Sequence, residues 1–292
     1  MAKTVGLVLE GGGMRGSYTL GILDVFLENR LFFPYVIGVS AGACNAASYV
    51  SRQTGRGERI AETYGMDRRY VSPLNLLGRE HSMFGMDFIF DEIPDVHDPF
   101  DYDAFEAYPG QVEAVVTNLL TGRPEYREVP RRDAHFRLLQ ATCAMPILFQ
   151  PIRLDGGIPY LDGGCSDAIP WKRALEAGCD RVVVVLTRER SYRKEPEQLM
   201  PLFRRVYRKY PAFVEDLRTR AERYNESRKE LFQLEQEGRI LVIEPRDTRG
   251  FSRTERDREK LLAMWQEGFF AGRRAAEAVR AFWTEPCLPE KL

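Results

Sequence analysis

The pentapeptide Gly38-Val39-Ser40-Ala41-Gly42 has the pattern GxSxG. It ends the β-prone run 35–39 and leads into the small residues 41–47, which suit a helix packed closely on a sheet. A strand-to-helix turn of this kind is typical of a nucleophile elbow, where Gly38 and Gly42 relieve crowding around a strained, exposed serine. The alternative interpretation is a glycine-rich packing turn with an inert Ser40.

A second glycine-rich loop precedes the pentapeptide between a predicted strand, 5–9, and a predicted helix, 17–27. Its GxGxxG pattern matches a dinucleotide-binding loop, but that site also needs an acidic residue after the next strand, where Ser40 stands. We therefore predict that the loop supplies unhindered amides for an oxyanion hole, together with the amide that opens the helix after Ser40. The predicted oxyanion-hole residues are Gly11, Gly12, Gly13, Met14, Arg15, Gly16 and Ala41.

Composition excludes several classes of protein. The 292 residues include 42 Lys and Arg against 43 Asp and Glu, a formal net charge of -1, which argues against general nucleic-acid binding. A mean hydropathy of -0.37 argues against a membrane-embedded chain, and the composition excludes disorder and fibrous repeats. The five cysteines form no CxxC pair, so we predict neither disulfides nor a zinc site, and we expect a cytoplasmic location. The short apolar run near the N-terminus predicts neither a secretion signal nor a membrane span.

Alternation of apolar strands and helices predicts an α/β fold with a mostly parallel sheet covered by helices. Further strands are predicted at 112–118, 126–129, 181–186 and 240–244, and further helices around 136–142, 171–177 and 259–283. The charged stretch from Pro211 to Glu237 is predicted to be a helix with a solvated face.

Residues 66–110 are predicted to form a cap or lid insertion. Part of this stretch, 83–106, combines apolar side chains with eight acidic residues and lacks Lys and Arg. The spacing of the acids does not match a calcium-binding loop, so we expect an acidic surface in solvent and no metal.

The segment 201–210 places Leu202, Val206 and Tyr210 at helical spacing beside Phe203 and Tyr207. The remaining face is basic and consists of Arg204, Arg205, Arg208 and Lys209. One interpretation is a transient contact with a membrane surface. The favoured one is a short helix packed on the protein core.

A nucleophilic serine needs a base, and histidine does not supply it here. His81, His97 and His135 are the three histidines, and none follows residue 135, where a hydrolase triad would place its histidine. Two Asp-Gly-Gly motifs offer a carboxylate instead. Asp155 lies in a short hairpin, where Asp-Gly suits a tight turn with positive φ, whereas Asp162 follows the returning strand and precedes Gly163 and Gly164, which permit close approach to another loop.

The sequence resembles the bacterial patatin-like phospholipases. The matching elements are the glycine loop with Arg15, the GxSxG elbow, the segments 141–146 and 149–151, and Asp162-Gly163-Gly164, in the family's order and spacing over about residues 5–187.

The resemblance implies a three-layer α/β/α sheet, with Ser40 as nucleophile, Asp162 as base and the amides around Gly12 and Gly13 as oxyanion hole. It also implies a lipid or acyl-ester substrate and no cofactor. We divide the chain into a catalytic core, 5–187, and a helical C-terminal region, 188–292, that completes or covers it. We further expect burial to raise the pKa of Asp162 and the apolar stretch 83–90 to form part of an acyl pocket or lid.

The sequence allows more than one role for Arg15 and more than one function for the protein. Arg15 either contacts a substrate phosphate or, as we favour, braces its loop by pairing with a carboxylate. Asp167 is expected to brace its loop, and Cys165 to be a packing residue. Phospholipase A or lysophospholipase activity is the leading function, with a carboxylesterase or thioesterase as alternative and a non-hydrolytic nucleotide-binding protein as a remote one.

Overall fold

The computed structural model describes residues 4–78, 82–133 and 135–284; His81 and Cys287 lie outside them. The strands are β1 (Val5–Leu9), β2 (Tyr35–Gly38), β3 (Gln111–Asn118), β4 (Arg123–Glu128), β5 (Ile152–Leu154), β6 (Ile158–Asp162), β7 (Arg181–Val185) and β8 (Ile240–Ile243). The α-helices are α1 (Gly16–Glu28), α2 (Ala41–Val50), α3 (Arg56–Tyr64), α4 (Tyr102–Ala107), α5 (Arg137–Cys143), α6 (Trp171–Glu176), α7 (Met200–Val206), α8 (Pro211–Gln236) and α9 (Arg258–Thr284).

All eight strands form one sheet in the order β5-β6-β3-β2-β1-β7-β8, with β4 also paired to β3. The five strands from β3 to β8 along this order are parallel, while β4, β5 and β6 pair antiparallel. The expectation of a mostly parallel sheet is therefore confirmed for its central part, and the predicted hairpin extends the sheet at one end.

Helices cover both faces of the sheet, because alternate residues of each central strand face opposite sides. Leu7 and Leu9 of β1 pack in the hydrophobic cluster that contains residues of α1, α2 and α9. Val8 packs in the other cluster, with residues of α6 and α8. The predicted three-layer α/β/α architecture is confirmed.

Helix α9 packs against α1 at very short distance, through glycines that face the partner backbone. A Cβ added to Gly268 would lie 1.9 Å from the carbonyl oxygen of Tyr18, and one added to Gly21 would lie 2.1 Å from that of Trp265. The region after residue 188 is also not purely helical, since β8 extends the sheet beside β7. This C-terminal region is thus packed on the sheet and on α1; the boundary at 187/188 stays a prediction.

The segment 66–110 contains a short 3-10 helix (Pro73–Leu77), a π-helix (Phe88–His97) and α4. Its acidic side chains are mostly exposed, and Asp98 pairs with Arg56 and Arg59. Among the described residues no group of acidic, histidine or cysteine side chains is arranged to hold a metal ion.

Helix α7 packs on the protein, as in the favoured interpretation, and does so through the two aromatic residues of its apolar side. Phe203 and Tyr207 are buried, whereas Leu202 and Val206 are 41% and 51% exposed. The wider aromatic side chains fill the core, and Tyr207 accepts a hydrogen bond from the backbone N–H of Ile147 (2.8 Å). In the described part of the chain, no helix combines the length and hydropathy of a membrane span.

Candidate active site

Two strands end facing each other along the same edge of β3. Strand β4 pairs with residues 113–118 of β3 along one edge, so the other edge is shared by β2, which pairs with 111–114, and β6, which pairs with 116–118. Because β2 is parallel and β6 antiparallel to β3, their carboxyl ends converge, with Gly38 opposite Ala114 and Asp162 opposite Val116. This convergence brings the loop after Gly38 to the end of β6.

Ser40 lies in this loop with φ 54° and ψ -127°, a conformation that is strained for a residue with a side chain. Its backbone N–H donates to Oγ1 of Thr142 (2.9 Å), whose own hydroxyl donates to the carbonyl of Val115 (2.5 Å). The fully buried Thr142 thus ties the turn to the central strand β3.

The two elbow glycines lie where a side chain would not fit. A Cβ on Gly38 would lie 2.5 Å from the nitrogen of Ala43, and one on Gly42 would lie 2.4 Å from the carbonyl oxygen of Leu9. Crowding around the strained turn thus explains why both positions of the GxSxG pattern are glycine.

The carboxylate of Asp162 is buried beside Ser40, with 6% of the residue exposed. The amide of Gly164 donates to its Oδ1 (2.7 Å), and the Ser40 hydroxyl lies beside the same carboxylate. Burial raises the pKa of Asp162, and these two groups with the charge of Arg220 act in the opposite direction. The direction that we predicted for this pKa is therefore confirmed.

Gly163 and Gly164 allow the close packing of this loop. A Cβ on Gly163 would lie 2.2 Å from the carbonyl oxygen of Val115, and one on Gly164 would lie 3.0 Å from Oδ1 of Asp162. Larger residues at either position would push the carboxylate away from β3.

The first glycine loop touches the elbow. A Cβ on Gly11 would lie 3.1 Å from Cβ of Ser40, and Gly13 has the positive φ (57°) that favours glycine. Within the described structure, the amides of Gly11, Gly12 and Gly13 donate to no protein acceptor. They are therefore free to bind a developing oxyanion.

The other amides of this loop are already used. Met14 donates to the carbonyl of Arg253 (2.9 Å), Arg15 donates to Gly12 (3.3 Å), and Gly16 donates to the carbonyls of Gly13 and Met14. Ala41, as the first residue of α2, keeps a free amide. The predicted oxyanion hole thus narrows to Gly11, Gly12, Gly13 and Ala41.

An apolar cavity of about 190 Å³ opens on one side of Ser40. The cap segment contributes much of its lining: Phe84, Met86, Ile89, Phe90, Ile93 and Pro94. The stretch 83–90 therefore lines a cavity beside Ser40, while its role as an acyl pocket or lid stays a prediction.

The thiol of Cys143 also lies beside the Ser40 hydroxyl and lines the apolar cavity. Its sulfur is 3.5 Å from that of Cys44. The hydrogen bond with Cys44 and burial raise the pKa of Cys143 well above its ordinary value, so this neighbour of Ser40 is uncharged.

The family model for patatin-like phospholipases matches residues 7–175, which contain the glycine loop, the elbow and the Asp162 loop. The chain belongs to the patatin-like phospholipase family. A second model, a domain of unknown function (DUF6363), matches residues 210–284.

Similar proteins include the uncharacterized protein YjjU of Escherichia coli, 28% identical over 196 residues, which are 63% of this chain and 52% of YjjU. The lysophospholipase nte1 of Aspergillus terreus is 26% identical over 192 residues, 63% of this chain and 12% of that protein. The matched part of this patatin-like protein thus spans about half, or much less, of these relatives. VipD from Legionella pneumophila has a TM-score of 0.49 at 15% identity, over 94% of this chain and 67% of VipD.

Other residues predicted from the sequence of this patatin-like protein have roles apart from Ser40 and Asp162. Asp155 is exposed and pairs with Arg127, and Gly156 and Gly157 carry the positive φ angles of the turn, not Asp155 itself. Asp167 accepts a hydrogen bond from the hydroxyl of Tyr126 (2.9 Å), which agrees with a bracing role.

Two of the histidines are described, and both lie on the cap side of the protein. His135 pairs with Asp91, and His97 lies near Glu92, far along the chain from the elbow. Cys165 is buried, and burial raises its pKa to about 12, as expected for a packing residue.

The favoured interpretation of Arg15, a brace that pairs with a carboxylate, was wrong. Arg15 pairs with no carboxylate among the described residues, and its Nε lacks any hydrogen-bond partner. The guanidinium instead lines a second cavity beside Ser40.

Sequence reasoning also missed the cationic side chains of this second cavity, Arg188, Lys194, Arg220 and Arg253. Arg220 belongs to α8, whose charged residues we predicted to face solvent. The sequence did not indicate that the Arg220 side chain points into this cavity, because many neighbouring residues of α8 are charged as well.

Proposed function

We propose that this protein hydrolyses carboxylic esters of lipids, with Ser40 as nucleophile and Asp162 as its base. The observation that carries the proposal is the position of the Ser40 hydroxyl, which lies beside a buried carboxylate and opens onto an apolar cavity. Both features are required of a nucleophile that attacks an ester held by its acyl chain.

Acylation begins when Oγ of Ser40 attacks the ester carbonyl carbon while the carboxylate of Asp162 takes its proton. The oxyanion accepts hydrogen bonds from among the free amides of Gly11, Gly12, Gly13 and Ala41. Collapse of this intermediate breaks the ester C–O bond, and Asp162 returns the proton to the leaving alcohol.

Deacylation repeats these steps with water. Asp162 takes a proton from the water that attacks the acyl carbon, and the second intermediate releases the fatty acid as Ser40 recovers its proton. Burial raises the pKa of Asp162, which makes its carboxylate a stronger base than an ordinary aspartate.

The apolar cavity favours a lipid with one acyl chain. Its volume of about 190 Å³ lies below the roughly 300 Å³ at which pockets for drug-sized ligands begin. We therefore propose a lysophospholipase-type substrate ahead of a phospholipid with two chains. A carboxylesterase or thioesterase that acts on soluble acyl esters is the alternative.

The test is the hydrolysis of p-nitrophenyl esters from acetyl to palmitoyl. We expect Ser40→Ala and Asp162→Asn each to lower kcat by at least about 100-fold, because each removes a group that acts in the transition state. Asp155→Asn is the matched control, since it alters the same Asp-Gly-Gly motif at an exposed turn and should keep wild-type activity.

If Ser40→Ala retains activity, the proposed nucleophile is wrong. A wild-type protein that neither hydrolyses esters nor reacts with a fluorophosphonate, and that is stabilised by NAD or ATP, would support nucleotide binding instead. An optimum at acetyl would favour the soluble-ester alternative.

We also propose a cytoplasmic location and a transient contact with anionic membranes through α7. The exposed Leu202 and Val206 lie among Arg204, Arg205, Arg208 and Lys209, which suits attraction to anionic lipid followed by shallow insertion. Replacing both apolar residues by serine should reduce sedimentation with phosphatidylglycerol vesicles and leave hydrolysis of a soluble ester unchanged. Equal sedimentation of both proteins would contradict the contact.

A further inference from the structure

The second cavity beside Ser40 has a volume of about 50 Å³ and a strongly cationic lining. Ser40 and Gly13 line both this cavity and the apolar one, so a single molecule with its ester at Ser40 reaches both. The charged side chains of the second cavity are Arg15, Arg188, Lys194, Arg220 and Arg253, against Glu10 and Asp162.

Asp162 attracts Arg220 and Arg253 through its charge, but in the described structure no carboxylate lies within ion-pair distance of these five cations. None of them forms an ion pair, although ion pairs occur throughout the rest of the protein surface. The contrast is clearest at Arg15, which is only 4% exposed, and whose guanidinium makes no hydrogen bond with a described residue. A buried arginine without a partner is costly and indicates that an anion completes the site.

Glu10 does not fill this role, because its carboxylate is already engaged. Tyr224 donates to its Oε1 (2.6 Å), and the backbone N–H and hydroxyl of Thr187 donate to its Oε2 (2.6 and 3.2 Å). The carboxylate therefore faces β7 and α8 and leaves the cations across the cavity unpaired.

Residues after position 187 supply four of the five cations. Arg220 projects from α8 and donates through Nε to the carbonyl of Gly164 (2.8 Å), beside the carboxylate of Asp162. Arg253 precedes α9, and its carbonyl accepts the amide of Met14 in the glycine loop. The C-terminal region thus reaches both sides of the nucleophile.

Lys194 shows how strongly the cations act on one another. Its Nζ lies 4.7 Å from the ring centroid of Tyr224. Burial and the charges of Arg220 and Arg253 lower its pKa to about 7, and burial lowers that of Arg15 to about 10. A bound anion would relieve this repulsion.

We propose that this cationic cavity binds the headgroup phosphate of an anionic lysophospholipid whose acyl chain occupies the apolar cavity. The assignment rests on the proposed esterase function and extends it, because it gives the C-terminal region a role in substrate selection. Arginine guanidinium groups match the oxygen geometry of phosphate, and a cavity of about 50 Å³ admits a small tetrahedral anion rather than a nucleoside.

The first arm of the test measures phosphate binding without catalysis. Inorganic phosphate is titrated calorimetrically into the Ser40→Ala protein and into the same protein with Lys194→Gln and Arg253→Gln. We expect the double change to weaken binding at least about tenfold, since each removed cation loses a charge-assisted hydrogen bond. Arg218→Gln with Lys229→Gln, two exposed cations of α8, is the control of equal charge and should bind phosphate normally.

The second arm measures selection between esters on proteins with Ser40 intact. The ratio of kcat/KM for a lysophosphatidylglycerol to that for a monoacylglycerol of the same chain length should fall at least about tenfold in the Lys194→Gln, Arg253→Gln protein. The control pair on α8 should keep the wild-type ratio.

The outcomes separate the two proposals. One outcome is that the protein hydrolyses neither ester but binds phosphate, and that the double change weakens this binding. This outcome would support the anion site and contradict the esterase function. Hydrolysis of both esters without phosphate binding or preference would overturn the cationic site. Phosphate binding with a wild-type ratio near one would overturn the headgroup assignment and identify free phosphate as the occupant.

Discussion

Thr142→Val tests how the strained elbow is held. The substitution keeps the shape of the side chain and removes the hydroxyl that accepts from the Ser40 amide and donates to the Val115 carbonyl. Both backbone groups are then buried without a partner, at a cost of roughly 1–3 kcal/mol each, partly offset by the added methyl group. We expect the free energy of unfolding to fall by about 2–4 kcal/mol.

This loss is large enough to measure by thermal unfolding. An entropy of about 2.1 cal/mol/K per residue over 292 residues means that about 3 kcal/mol lowers the Tm by roughly 5 °C. The kcat of ester hydrolysis should also fall, because the released Ser40 backbone can relax from φ 54°.

Thr19→Val is the matched control. Thr19 is also fully buried in a helix, but its hydroxyl has no hydrogen-bond partner. Removing an unpaired hydroxyl should leave the Tm equal to that of the wild type or slightly above it. If the two valine variants unfold at the same temperature, the hydroxyl of Thr142 does not hold the elbow.

Three further predictions concern the base, the cavity and the helix packing. Because burial raises the pKa of Asp162, kcat/KM should be lost as pH falls through a value above the ordinary aspartate pKa of about 4; an acidic limb at about 4 would contradict a buried base. Ala61→Phe narrows the apolar cavity and should move the optimum of the p-nitrophenyl ester series to shorter chains, whereas an unchanged profile would place the acyl chain elsewhere. Gly268→Ala forces a Cβ against the Tyr18 carbonyl and should destabilise the protein by about 2 kcal/mol or more by thermal unfolding, unlike the exposed Glu277→Ala on the same helix.

The sequence indicated the central sheet well, because each buried parallel strand is an uninterrupted apolar run. Residues 182–185 and 5–9 are such runs, and both lie in strands, β7 and β1. The elbow was also predictable, since GxSxG at a strand-to-helix turn limits the backbone to a few conformations. The Asp162 loop could be predicted because it contains the second of the two Asp-Gly-Gly motifs in the chain and because this motif matches the family pattern.

Contacts between distant segments were not predictable. Nothing in the order of residues shows that β2 and β6 share one edge of β3, and this pairing sets the meeting of Ser40 and Asp162. The role expected of Arg15 failed for a similar reason, because its surroundings come from residues after position 187. On α7, the spacing fitted two apolar faces, and packing selected the one with Phe203 and Tyr207.

The position of Arg253 against the glycine loop has a consequence for synthesis of the chain on the ribosome. Asp162 emerges 91 residues before Arg253, which at about 5–20 residues per second corresponds to roughly 5–18 s. During that interval the nascent chain already contains the serine and the carboxylate, but neither α9 nor the arginine whose carbonyl fixes the Met14 amide. The order of translation thus means that the candidate oxyanion hole receives its contact with Arg253 only after the catalytic candidates Ser40 and Asp162 have both been made.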